Sequence, residues 1–128
     1  MIKKTITYTD YNGNERTEDF YFNLNKAEVM RMEMGVKGGL TEMMQRVIAA
    51  QDQPALIAIF EDLIRKSYGV KTPDGRGFTK STEDLAAFVS TEAYSELFME
   101  LATDADAAAA FFKGILPANL AKELAATN

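Results

Sequence analysis

The sequence predicts a mainly α-helical fold: an N-terminal β-hairpin followed by a bundle of five to six helices, α+β by strict count. Three observations carry this. The first two dozen residues alternate polar and apolar side chains, with β-branched and aromatic residues at strand spacing. The dipeptide Asn12-Gly13 interrupts that alternation with a hairpin signal. From Asn25 onward, apolar residues recur at i, i+3 and i+4. The 128 residues are enough to bury a core without staples. They read as a single compact domain, the hairpin of residues 1–24 docked on a helical body of residues 25–128.

In the hairpin, Ile2, Ile6 and Tyr8 share one parity, and Phe20, Phe22 and Leu24 share another run of alternation. A two-residue turn would set Ile6 against Asp19, an acid on the apolar face. A three-residue loop of Asn12, Gly13 and Asn14 sets Ile6 against Phe20 instead. That register is preferred because the buried face decides the pairing.

The first helix starts at Asn25, a cap with Glu28 three residues on, and stops at Gly35. A joint, "GVKGG", leads to "LTEMMQRVIAAQ", with Leu40, Met43, Met44 and Val47 at helical spacing. "DQPALIAIFEDLIRKSYG" follows, capped at Asp52 with Pro54 in its first turn. Its stripe of Leu56, Ile59, Phe60, Leu63 and Ile64, widened by Ile57, predicts the centre of the core, and Gly69 is expected as its left-handed cap. Ser81 and Asp84 open a helix presenting Leu85, Phe88 and Val89. The next presents Tyr94, Leu97, Phe98 and Leu101. Asp104 or Asp106 begins an alanine-rich helix through Phe111 and Phe112, broken by Gly114 and Pro117, with a short helix after it.

Composition narrows the function. There is no cysteine and no histidine, which removes thiolate chemistry, the commonest neutral-pH base and the usual zinc ligands. An enzyme is therefore not expected, nor any catalytic residue, cofactor or metal. No apolar run approaches the ~20 residues of a membrane span, and the polar start "MIKKTITYTDYNG" is no signal peptide. The chain reads as soluble and cytoplasmic. The formal charge is −5, but Arg65, Lys66, Lys71, Arg76 and Lys80 against Asp74 make a local +4, leaving −9 elsewhere. One basic loop without a basic helix or stacking aromatics gives no nucleic-acid site.

That basic island overlaps "KSYGVKTPDGRGFTKS", Lys66 to Ser81. Its glycines are followed by Val70, Arg76 and Phe78, and it follows a helix, so it fails the phosphate-loop pattern. "TPDG" reads as a turn, with Phe78 folding back as an apolar plug on the helices, and a basic docking surface for an acidic partner remains open. Core filling accounts for Met30, Met34, Met43 and Met44, whereas Met32 and Met99 fall off the apolar stripes and suit an adaptable binding surface. Glu92, Glu96 and Glu100 form an i, i+4, i+8 ridge, which reads as a solvated helix face.

"FYFNLNKAEVMRMEM", "KSYGVKTPDGRGFTKS" and "STEAYSELFMELATDADAAAAFFKGILP", in that order, resemble the tail assembly chaperones of long-tailed phages of Gram-positive hosts. The resemblance runs from about Thr7 to Pro117 and rests most on Ser67–Gly69, Asp74–Phe78, "EAYSELFMEL" and "FFKGILP". It implies a non-enzymatic protein that binds the tape measure protein, a very long helical chain, and keeps it soluble while the tail tube polymerises. It also implies contact with the tail tube protein, a frameshifted longer form, homo-oligomers, residence in the host cytoplasm and absence from the mature virion. The partner contact is then expected on Met32 and Met99 with neighbouring Met30, Met34, Met43 and Phe98. Self-association is expected on the hairpin edge or on Arg65, Lys66, Lys71, Arg76 and Lys80. The alternative is a structural tail or connector subunit retained in the virion.

Overall fold

A computed structural model describes residues 1–35, 38–39, 42–43, 45, 49 and 53–117, with backbone alone for 53–56. The predicted helix over 40–51 (apart from isolated positions such as Met43), the Asp52 cap, the Leu56 side chain and the tail after Pro117 fall outside them.

Strands β1 (Ile2–Thr9) and β2 (Glu15–Phe22) form the expected antiparallel hairpin, in a different register. Ile6 stands opposite Glu18, and Phe20 opposite Lys4. The loop has three residues, but they are Tyr11, Asn12 and Gly13. Asp10 decides this. Its carboxylate accepts the N–H groups of Asn12 and Asn14, each at 2.9 Å, and Arg16 Nε at 2.6 Å. Its carbonyl accepts the Gly13 N–H at 3.0 Å, and Gly13 takes φ +84, the left-handed position this loop requires. The Arg16 guanidinium and the backbone donors hold the Asp10 carboxyl below the usual carboxylate range. The shift is by two residues, so Ile6, Tyr8, Phe20 and Phe22 still share the inner face. Glu18 joins them there and accepts a hydrogen bond from the Tyr8 hydroxyl.

Residues expected as a connector fold into a second hairpin, β3 (Tyr68–Lys71) and β4 (Phe78–Thr79). Strand β3 pairs antiparallel with β2, setting Gly69 opposite Tyr21 and Tyr68 opposite Phe22, so the sheet runs β1-β2-β3-β4. Gly69 is therefore no helix cap, and its φ is not positive. It is needed for a close approach: a Cβ there would lie 2.5 Å from the Phe78 ring and 2.8 Å from the Thr79 carbonyl oxygen. Phe78 thus packs against a neighbouring strand. The turn through Pro73 and Asp74 forms as expected, the Gly75 N–H meeting the Thr72 carbonyl at 2.9 Å.

The described helices are α1 (Lys26–Gly35), α2 (Gln53–Ser67), α3 (Thr82–Val89), α4 (Glu92–Thr103) and α5 (Ala105–Ile115). Their starts follow the sequence signals. Asn25 and Glu28 exchange side chain-to-backbone bonds of 2.8 and 2.9 Å, Ser81 Oγ accepts the Asp84 N–H, and Asp104 accepts two N–H groups of its own first turn. Helix α5 runs through Gly114 to Ile115, so Gly114 does not break it. The core centres on aromatic rings shared by sheet and helices. Phe22 is fully buried, with the rings of Phe111, Tyr68 and Phe88 at 5.3, 5.8 and 5.8 Å, and Tyr68 stacks on Phe88 at 4.4 Å. Helix α2 adds Phe60, Leu63 and Ile64, while Ile57 turns to solvent, which corrects the expectation that its widened stripe is all core.

Candidate functional site

Helix α1 is rotated relative to the sequence expectation. Val29 and Met32, three residues apart, are buried, so Met32 is a core residue. Met30 and Met34, expected in the core, are 66% and 84% exposed on the opposite side. Met43 is buried and offers no accessible side chain. On α4, Leu97 and Leu101 are buried, Phe98 is half-buried against Tyr94, and Met99 is 55% exposed. Among the described residues, the methionines that helices turn to solvent are therefore Met30, Met34 and Met99; Met1 is exposed at the chain start.

The five cations of the basic island separate by role. Lys71 Nζ sits 4.1 Å from the centroid of the Tyr21 ring across the β2–β3 seam. The Arg65 guanidinium lies 5.9 Å from the centroid of Tyr94, whose hydroxyl is buried without a hydrogen-bond partner among the described residues. Burial pushes that phenol upward in pKa against the pull of Arg65. Lys66 pairs with Asp62 one helical turn earlier at 2.9 Å. The Arg76 side chain is exposed, with no partner among the described residues.

Lys80 is an internal fastener, which corrects its placement on a free basic surface. Its Nζ lies 2.7 Å from the Asn23 carbonyl, 2.7 Å from the Lys66 carbonyl, and 2.8 and 2.7 Å from the two Glu28 oxygens. It joins the end of β2, the first turn of α1 and the last turn of α2, where a cation also favours the unpaired helix carbonyls. With both partners about a quarter exposed, the contribution is about 1 kcal/mol, charge-assisted bonds discounted for screening. Lys80→Met is expected to speed amide exchange in α1 by roughly five- to tenfold, with little change in α5. Equal protection in the two proteins would refute the role.

Arg65, Lys66 and Lys80 border a cavity of about 430 Å³ floored by Leu24 and Met32, with Arg31 on its rim. Lys71 and Arg76 stand apart on the β3–β4 hairpin. The acid ridge of α4 faces the first hairpin. Glu92 accepts from the Tyr11 hydroxyl at 2.9 Å, and Glu100 pairs with Lys4 at 2.7 Å. Among the described residues no group of acids is arranged to hold a metal ion, and no helix is long and apolar enough to cross a membrane.

This surface carries exposed methionines on two helices, cations mostly committed to internal bonds, and acids facing a strand. A family model described as phage tail assembly chaperone matches residues 1–128. The chain belongs to that family. No curated protein and no solved structure matches it. Sequence reasoning missed Arg31 and the outward turn of Met30 and Met34 in this chaperone. The spacing of Val29 and Met32 carried the needed signal, because it defines a buried stripe that excludes positions 30 and 34.

Proposed function

We propose that this chaperone binds the tape measure protein of a long-tailed phage of a Gram-positive host. It keeps that helical chain soluble while tail tube subunits polymerise around it, then departs before the virion is complete. The observation that carries the reading is the family match over all 128 residues. Exposed Met30, Met34 and Met99 support it, since flexible thioethers adapt to the varied apolar faces of a long amphipathic helix. A net charge of −5 keeps the loaded complex soluble, and many weak contacts along one chain give avidity with reversible binding. In the same reading the chaperone works in the host cytoplasm as a homo-oligomer, beside a frameshifted longer form, with Arg76 and Lys71 on the self-association surface.

Co-expression with the tape measure protein tests this. The soluble fraction of that protein should rise several-fold with the chaperone, and Met30→Asp with Met34→Asp and Met99→Asp should remove most of the gain. A tape measure protein equally soluble alone would end the reading. Many copies of the chain in purified virions would instead favour a retained tail or connector subunit.

A further inference from the structure

We propose that the free edge of β1 and the adjoining helix α4 form a groove that binds an extended, basic segment of a partner protein as a fifth strand of the sheet. The groove shares Met99 with the methionine surface, but its test turns on Glu96 and the β1 backbone.

Strand β1 ends the sheet, and no strand among the described residues pairs with its outer side. It is eight residues long and contains neither proline nor glycine. Its hydrogen-bond phase follows from the loop: Asp10 N–H bonds the Asn14 carbonyl at 2.8 Å, so Tyr8, Ile6 and Lys4 face β2 by alternation. Thr5 and Thr7 therefore turn their N–H and C=O groups outward, an open ladder of the kind that accepts an added strand. A cleft of about 320 Å³ runs beside this ladder, lined by Thr5, Ile6 and Thr7 on one side and Glu96, Met99 and Glu100 on the other.

The lining selects the occupant. Glu96 makes no ion pair or hydrogen bond among the described residues, and Glu100 is 42% exposed beside Lys4. An incoming strand presents every second side chain to α4. A cation there meets Glu96, an aliphatic residue meets Met99, and the intervening side chains extend the outer row of Thr5, Thr7 and Thr17. A second copy of β1 fits poorly. The two-fold axis of an antiparallel β1 pair would bring both α4 helices to one side of the seam, setting Glu96 and Glu100 against their own copies.

The test uses the purified chaperone and a fluorescein-labelled peptide, TKTLTKT, with two versions N-methylated at alternate backbone positions. Fluorescence anisotropy should give saturable binding, weakened at least tenfold by Glu96→Lys, a surface change that leaves the core intact. One N-methylated peptide should bind as the parent does and the other should not, because only one set of amides faces β1. Amide exchange at Thr5 and Thr7 should slow on binding while Ile6 is unchanged. No binding at millimolar peptide, any other N-methylation pattern, or indifference to Glu96→Lys would overturn the proposal. So would protection of Thr5 and Thr7 that rises with chaperone concentration alone, which would assign the edge to a second copy.

Discussion

Phe22→Ala is expected to lower folding stability by about 3–5 kcal/mol, the range for deleting a fully buried aromatic side chain. Phe22 is 0% exposed and contacts rings from β3, α3 and α5, so its loss opens a cavity that four elements would have to close together. The melting temperature should fall on the order of 10–20 °C for a chain of this length. In urea the midpoint should drop with little change in slope, since the surface exposed on unfolding is nearly the same. Ile57→Ala, at an exposed position on α2, should stay within about 0.5 kcal/mol of the parent. Similar losses from the two substitutions would place the core elsewhere.

Gly69→Ala comes next in size and acts through the opposite fault, overcrowding. The new methyl would meet the Phe78 ring at 2.5 Å and the Thr79 carbonyl oxygen at 2.8 Å. The ring can swing aside, but the carbonyl belongs to the β4 backbone, so β3 and β4 must separate. Overpacking of this kind costs about 1–3 kcal/mol. Amide exchange should locate the damage, with the Val70 and Thr79 amides losing protection before those of β1. A variant with parental stability and parental exchange would refute the crowding.

Both effects trace to features that the sequence exposes unequally. The first hairpin is legible because eight-residue strands alternate and Asn12-Gly13 lies between them. Its register was not, because matching Ile6 to Phe20 competes with the Asp10 carboxylate, which gathers two backbone N–H groups and Arg16. Local side-chain chemistry outweighed apolar pairing, at the cost of Glu18 on the inner face. Strands of four and two residues are too short to show a period, so β3 and β4 stayed hidden inside a run whose turn was plain. Helix starts were readable from Asn25, Ser81 and Asp104, whose caps depend on neighbours in sequence. The fate of Lys80 depends on Asn23, Glu28 and Lys66, brought together only by the tertiary fold. The open ladder of β1 became visible only once the hydrogen-bond phase was known.

The pairing of β2 with β3 also sets an order of events during synthesis. Forty-five residues separate Phe22 from Tyr68, the partners at that seam. Each hairpin closes over a short loop and can form within about 1–10 μs of its second strand becoming available. Joining the two hairpins closes a much longer loop, at an entropic cost on the order of 3 kcal/mol from the length-dependent part alone. On a ribosome adding roughly 5–20 residues per second, the inner edge of β2 waits roughly 2–9 seconds for β3 to be made. Through that interval the first hairpin carries two open edges and an uncovered Phe22. Until β3 is made, the nascent chain therefore exposes a strand edge and an aromatic core residue that the folded protein covers.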